Sequence, residues 1–297
     1  MKKFLLKTPK HQGKILILCL LAGVWFFWVV NLQVLAHQIK EDGPDSQATK
    51  QVGLSMGKAN QPKKATSKLT QASPQTKAFN LGDSSVPRVD AVDISSFQSG
   101  LSAADFKKIK AAGIKSVVVK LTEGSSYTNG AALAQIKNAA AAGLNIDVYH
   151  YFTANSVSGA QSEANHLVSV LSADKLKSKI LIFNDVEAAS TKTLQIASNL
   201  NAFWSVLADH GYANHGIYTG ANYLYRDAAA KTVGFKNTWK AQYPYTPTAQ
   251  TTWQTDYGAW QFSPTAQISG GNYKGYLDAS IDYNNLFTRS VGDKPFN

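Results

Sequence analysis

Asp185 and Glu187, in Phe-Asn-Asp-Val-Glu, are the residues whose types and spacing point most directly to chemistry. The run from Lys179 to Val186 reads as a buried strand. Alternate residues of a strand point to one side, so both carboxyls face one cleft, with Cα atoms roughly 7 Å apart, two strand rises. At that separation their repulsion raises the proton affinity of one while the other stays ionised. Such a pair suits a general acid beside an electrostatic stabiliser. The spacing also fits a carboxylate that caps the following helix, although Ser190 and Thr191 already supply that role. Further carboxylates end other strands: Asp93 in Val-Asp-Ile-Ser-Ser-Phe-Gln, Glu123 in Lys-Leu-Thr-Glu-Gly and Asp278 in Gly-Tyr-Leu-Asp. Aromatic residues accompany them, namely Tyr149 and Tyr151 in Tyr-His-Tyr-Phe, then Tyr218, Trp239, Tyr243 and Trp260. Such rings either pack a core or stack on the apolar C–H faces of sugars, and their company with carboxylates favours a saccharide cleft.

Other chemistries find no support. The only cysteine, Cys19, lies in an apolar run, which excludes an intrachain disulfide and a cysteine-based zinc site. The six histidines form no His-Glu-X-X-His, and His150, alternating with Tyr149 and Tyr151, reads as a satisfied core histidine. There is no Gly-X-Ser-X-Gly elbow and no phosphate-binding glycine loop. No cofactor or metal is expected.

The elements that must position these groups begin near Val89. Strands are expected at 89–94, 115–121, 145–152, 179–186 and 216–219, with helices at 102–112, 131–142, 159–171 and 191–210 between them. Ser102 caps the first helix, and Gly113 and Gly143 close the first two. This alternation implies parallel strands joined by helical crossovers, and in a barrel of that kind the working residues sit at the C-terminal strand ends. The last third holds strands at 238–242, 259–263 and 276–281 without helices between them. The expected fold is therefore α/β, an irregular (β/α) barrel resembling a TIM barrel, with some helices missing.

Of the formal net charge of +11, residues 1–86 carry +8, from 12 lysines against 4 acidic residues. A nucleic-acid-binding stripe on the folded part is thereby disfavoured. Lys2, Lys3, Lys7, Lys10 and Lys14 precede an apolar run from Ile15 to Ala36, the pattern of an export signal or a retained membrane anchor. Residues 37–86, rich in Lys, Gln, Ser, Thr, Ala, Gly and Pro, read as a flexible basic linker. The expected division is 1–36 signal or anchor, 37–86 linker, 87–290 folded domain and 291–297 C-terminal tail, with the folded part outside the cytoplasm.

From Val89 to Phe287 the motifs resemble, in order, those of the glycoside hydrolase family 25 muramidases, lysozymes of the kind made by lactobacilli and their phages. They are Val-Asp-Ile-Ser-Ser-Phe-Gln at 92–98, Lys-Leu-Thr-Glu-Gly at 120–124, Tyr-His-Tyr-Phe at 149–152, Asp-Val-Glu at 185–187, Ile-Tyr-Thr at 217–219, Trp-Lys-Ala-Gln-Tyr at 239–243, Trp-Gln-Phe-Ser at 260–263 and Leu-Asp-Ala-Ser-Ile-Asp-Tyr at 277–283. The resemblance implies a distorted β/α barrel that hydrolyses the β-1,4 bond between N-acetylmuramic acid and N-acetylglucosamine in peptidoglycan. It makes Glu187 the general acid and Asp185 the group that stabilises charge or orients the substrate's acetamido group. It adds Asp93 and Asp278 as supporting carboxylates, with Asp282 as the alternative to Asp278. It assigns Tyr149, Tyr151, Glu123, Tyr218, Trp260 and Gln261 to substrate binding. The family is usually described as retaining, through attack by the acetamido group. Asn184 departs from the pattern, which more commonly has an apolar residue there. The implied partner is the peptidoglycan glycan strand, acted on by a monomer that the N-terminal segment, if uncleaved, holds at the membrane. The rival expectation is a catalytically silent wall-binding module on the same fold.

Overall fold

The computed structural model describes residues 77–297. Ten strands form one sheet among these residues: β1 (Phe79–Asn80), β2 (Ala91–Ile94), β3 (Ser116–Glu123), β4 (Tyr127–Thr128), β5 (Asn145–Tyr151), β6 (Ile182–Asp185), β7 (His215–Gly220), β8 (Thr238–Ala241), β9 (Ala259–Gln267) and β10 (Leu277–Asp282). β2, β3 and β5 to β8 pair in parallel in that order, β8 pairs in parallel with β9, and β10 closes the barrel antiparallel to both β9 and β2. β1 and β4 are appended to β9 and β3. Five helices, α1 (Ala103–Ala111), α2 (Ala132–Ala141), α3 (Val157–Ala173), α4 (Ile196–Asp209) and α5 (Arg226–Lys231), connect the parallel strands up to β8. No α-helix separates β8, β9 and β10, as the late strand-rich stretch implies.

Local chemistry sets several boundaries. Ser102 and Asp105 form a reciprocal capping box on α1, and Gly113 and Gly143 take left-handed φ values of 92° and 77° after α1 and α2. α4 begins at Ile196, five residues later than the sequence pattern suggests. Residues 189–191 instead form a 3-10 turn in which the Thr191 hydroxyl donates to Ala188 O at 2.7 Å and the Ser190 hydroxyl to Thr153 O at 2.7 Å. These residues tie down the loop beyond Glu187 rather than cap a helix.

Apolar residues pack in two zones. Ala91, Val118, Tyr149, Phe183, Tyr218 and Trp239 fill the barrel interior with Leu286 and Phe287. Val117, Val119, Ile136, Phe152, Leu167, Phe203 and Ile217 pack between barrel and helices. The 3-10 turn Leu286–Thr288 lies at the end of the barrel opposite the C-terminal ends of the parallel strands, where Asp282 accepts from Leu286 N at 2.8 Å and Phe287 N at 3.0 Å.

Two stretches read from sequence as linker and tail lie against this unit. Phe79 pairs beside Ala266 and is buried with Leu81, so the folded part starts before residue 87. Two apolar residues in a polar tract are too few for a periodic signal, yet an open edge of β9 receives them. In the tail, Leu176 and Phe296 form an antiparallel bridge, and Lys177 N donates to Pro295 O at 2.8 Å. The apolar run 15–36 and linker residues 37–76 lie outside the described residues. Among the described residues no helix is long and apolar enough to cross a membrane.

Candidate active site

Strand alternation carries Asp185 and Glu187 to the mouth of the barrel, as their spacing implies. Beyond β6 the chain stays extended beside β7, since Val186 N donates to Tyr218 O at 2.8 Å and the Thr219 hydroxyl to Val186 O at 2.9 Å. Asp185 is wholly buried, whereas Glu187 keeps part of its surface in solvent. Asp93 is next to last in β2 and Asp278 second in β10, and the antiparallel register sets them directly opposite each other. Because β10 runs against its neighbours, its first residues, not its last, reach the active face. That direction places Asp278 in the site and Asp282 at the far end, where it accepts from the amides of the Leu286–Thr288 turn.

All four carboxyls converge on one set of buried phenols. The hydroxyls of Tyr149, Tyr218 and Tyr243 titrate well above the usual tyrosine range. Burial is the first cause for each; Asp93 and Glu187 raise all three, joined by Asp185 and Asp278 at Tyr149. Asp93 is likewise raised well above the carboxylate range, first by burial and then by Asp278, with the hydrogen bond from Gln261 opposing both. Two like charges in one dry site resist joint ionisation. Gln261 Nε2 donates to Asp93 Oδ2 at 2.8 Å, and Gln261 Oε1 accepts from the Tyr218 hydroxyl at 2.8 Å and from the Tyr243 hydroxyl.

The cleft wall is built by an irregularity in β3. Its register against β5 slips between Lys120 and Thr122, so Lys120 lies beside Tyr149 and Glu123 beside Tyr151. In a regular strand residues three apart face opposite sides; the slip lets Lys120 Nζ and Glu123 Oε2 pair at 2.5 Å. The ammonium also lies 4.9 Å from the Tyr151 ring centroid and 5.4 Å from that of Tyr127. Tyr151 and Glu123 thus stand at the partly exposed rim, above the buried Asp93, Asp185, Asp278 and Tyr149.

Trp260 does not join them. Ala259 and Gln261 point into the barrel, which turns Trp260 to the outside of β9, where it is wholly buried, stacks on Trp253 at 5.6 Å and donates Nε1–H to Gln242 O at 2.7 Å. Sequence reasoning placed it with the cleft aromatics because it named the ring without its strand phase. Gln261 and Tyr218 lie below the cleft surface, both with no exposure. Lys120 was missed as a wall residue, since its inward phase depends on the slip in β3. His150, read as a core histidine, points outward: Nε2 meets Glu163 Oε2 at 2.9 Å and Nδ1 meets Thr122 Oγ1 at 2.8 Å. Asn184, the departure from the motif, is buried on the same outward face of β6, its side-chain polar atoms without a hydrogen-bond partner.

A closed eight-stranded barrel with clustered carboxylates at the C-terminal strand ends defines a class, the barrel glycosidases. The model of glycosyl hydrolases family 25 matches residues 92–271, more than half of the chain, and the chain belongs to that family. It is 32% identical over 181 residues to the autolytic lysozyme of Clostridium acetobutylicum, a match covering 61% of this chain and 53% of that protein. The chain thus spans about half the length of that relative. Its fold is similar to the catalytic domain of the endolysin ply40 from Listeria monocytogenes bacteriophage P40, with a TM-score of 0.54 at 17% identity over 67% of this chain and 95% of that one. It is also similar to the modular autolysin LytC from Streptococcus pneumoniae, solved in complex with a synthetic peptidoglycan ligand. There the TM-score is 0.51 at 20% identity, over 64% of this chain and 45% of that one.

Proposed function

We propose that this chain is an N-acetylmuramidase that cleaves the β-1,4 bond between N-acetylmuramic acid and N-acetylglucosamine in peptidoglycan. The observation that carries the reading is the convergence of Asp93, Asp185, Glu187 and Asp278 beneath one cleft, with only Glu187 of the four reaching solvent. The family membership, the relative's description as an autolytic lysozyme and the neighbour's peptidoglycan ligand support the same substrate.

The exposures divide the labour. Glu187 reaches the leaving oxygen and protonates it as the glycosidic bond breaks. Asp185, wholly buried, stabilises the developing oxocarbenium charge through its field, which in a low-dielectric site needs no contact. The acetamido group of the muramyl sugar then supplies the nucleophile, and the ionised Glu187 takes a proton from the incoming water. Five large apolar side chains with exposed surface follow parallel barrel strands at this mouth: Phe97 in the 3-10 turn after β2, Tyr127 on β4, Val157 at the start of α3, and Leu194 and Leu224 on the loops after β6 and β7. They form an apolar collar suited to a polymer with C–H faces. The N-terminal basic and apolar segment delivers the domain to the cell wall.

Mass spectrometry of fragments released from purified peptidoglycan tests the proposal on the full chain. Wild type is expected to yield reducing muramic acid ends, and Glu187→Gln to lose roughly 10²- to 10⁴-fold in rate while staying folded. Asp185→Asn is expected to be severely impaired as well. Near-normal turnover by folded Glu187→Gln would remove it as the acid, and intact wall after wild-type treatment would reject the muramidase reading.

A further inference from the structure

Behind the cleft, a line of hydrogen bonds runs between the two walls that flank it. Glu163 of α3 stands at its centre, only 4% exposed. Its Oε2 accepts from His150 Nε2 at 2.9 Å and from Thr153 N at 3.1 Å, and its Oε1 accepts from the Thr153 hydroxyl at 2.5 Å. His150, with its proton on Nε2, accepts at Nδ1 from the Thr122 hydroxyl at 2.8 Å. On the other side the Thr153 carbonyl oxygen accepts from the Ser190 hydroxyl at 2.7 Å. Glu163 is the only acidic residue on the buried face of α3, otherwise formed by Ala160, Ala164, Leu167, Val168 and Leu171. Burying a carboxylate is costly unless its oxygens are satisfied, and here the bonds that satisfy them lead to the two walls.

Both ends of this line lie beside groups of the cleft. Thr122 pairs with His150 on the outward face of the barrel, immediately after the register slip that turns both Lys120 and Glu123 inward. A hydroxyl held by a ring that is itself held by a carboxylate pins that irregularity in place. Thr153 also backs the end of β3, since a Cβ on Gly124 would lie 3.3 Å from its Oγ1. Ser190 lies three residues past Glu187, in the 3-10 turn 189–191. The same turn is held from the β7 side, where the Tyr223 hydroxyl donates to Thr191 O at 2.7 Å. The loop that carries Glu187 therefore has two ties, and the one through Thr153 and Glu163 continues to the opposite wall.

We propose that Glu163 is a positioning residue that braces the β3 wall against the loop after Glu187, through His150 and Thr122 on one side and Thr153 and Ser190 on the other. It acts from behind the cleft, by fixing Lys120 and Glu123 on one wall relative to Glu187 on the other. The consequence for rate rests on the muramidase reading above, in which Glu187 meets the leaving oxygen of a sugar seated against the β3 wall. In such a geometry a misplacement of about 1 Å costs roughly 10²-fold in rate.

Two measurements on the full chain test the brace and the reading separately. Amide hydrogen exchange followed by mass spectrometry reads the brace without reference to activity. Glu163→Leu is expected to speed exchange about tenfold in both 120–128 and 186–193, and Glu163→Gln, which keeps the carboxamide in the same place, to stay near wild type. Gly258→Ala, a destabilising change at the opposite end of the barrel, is expected to leave both segments and kcat as in wild type, which separates the brace from a general loss of stability. Turnover of soluble glycan fragments is the second readout. Glu163→Leu is expected to lower kcat about tenfold, and Glu163→Gln to restore it to within about twofold of wild type. Ser190→Ala is expected to lower kcat about threefold with KM unchanged, and to add nothing in the Glu163→Leu background, where Thr153 has already lost its anchor. If Glu163→Leu does not fold, Thr122→Val and Ser190→Ala each release one wall, speeding exchange in 120–128 and 186–193 respectively, and the double variant reproduces the loss in kcat. Faster exchange in one segment alone of Glu163→Leu, an unmoved kcat, equal effects in Gly258→Ala, or a full Ser190→Ala effect on top of Glu163→Leu overturns the proposal. A wild type that releases no muramic acid ends rejects the muramidase reading alone, because hydrogen exchange still decides the brace.

Discussion

Replacing Glu163 with leucine tests how the cleft wall is held from behind. Glu163, on α3, is buried and accepts three hydrogen bonds: from His150 Nε2 at 2.9 Å, Thr153 N at 3.1 Å and Thr153 Oγ1 at 2.5 Å. With Glu163 ionised, Nε2 carries the imidazole proton and Nδ1 accepts from the Thr122 hydroxyl at 2.8 Å, so every polar atom of the histidine is satisfied. Leucine leaves the Thr153 N–H and the His150 Nε2 without partners, while the Thr153 hydroxyl rotates away. At about 1–3 kcal/mol for each stranded group, partly relieved by a tautomer switch at His150, the net loss is about 3 kcal/mol. For a domain of this size that lowers Tm by roughly 10 °C. Glu163→Gln retains an oxygen for His150 and Thr153 N and a donor for Thr153 Oγ1, so it should cost about 1 kcal/mol. Thermal and urea unfolding followed by tryptophan fluorescence measure both. Equal losses for the two variants, or a leucine variant within about 1 kcal/mol of wild type, would refute the reasoning. The same site gives a pH signature: burial holds His150 below its ordinary value of 6.5, against the pull of Glu163. The unfolded chain then binds the extra proton, so wild-type stability falls as pH drops below about 6.5.

Two further outcomes follow from the base of the barrel. Asp147 is wholly buried on β5 and raised well above 3.8, first by burial, with Ser290 and Arg289 opposing and Asp282 adding to the rise. Its contribution to stability is full below about pH 4 and is lost as pH rises through the raised folded value, so Asp147→Asn should gain stability over wild type progressively with pH. Urea titrations at pH 4 to 8 that run parallel for the two proteins would contradict this. Gly258→Ala would bring a Cβ within 2.3 Å of the Lys236 carbonyl oxygen and 2.9 Å of Leu286 Cδ2. The expected cost is about 1–3 kcal/mol, and an unfolding midpoint unchanged from wild type would show that the loop yields freely.

Much of this arrangement was legible in the chain itself. The apolar runs and their glycine stops mark the parallel strands and first helices to within a few residues, because each is set by local pattern and local φ. The pairing of Asp185 with Glu187 was readable from the two-residue repeat of a strand. Trp260 and Gln261 show the limit of the same logic. Adjacent residues on a strand face opposite ways, and which of them faced inward depended on a phase that only the packing of β9 against β8 and β10 supplied. Lys120 and Glu123 meet through a register slip that a strict alternation hides. Residues 77–86 carry too few apolar side chains to announce a strand, and dock because β9 offers an edge.

The sequence by itself determined the family, the order of elements and the identity of the acidic groups, because motifs and periodicity are properties of short stretches. The tertiary structure decided which groups meet. The direction of β10 chose Asp278 over Asp282, barrel closure brought Asp93 against Asp278 across a long separation in the chain, and burial turned Gln261 and two tyrosines into an internal scaffold. Those outcomes depend on long-range pairing and on exclusion of water, and neither is written in any one segment.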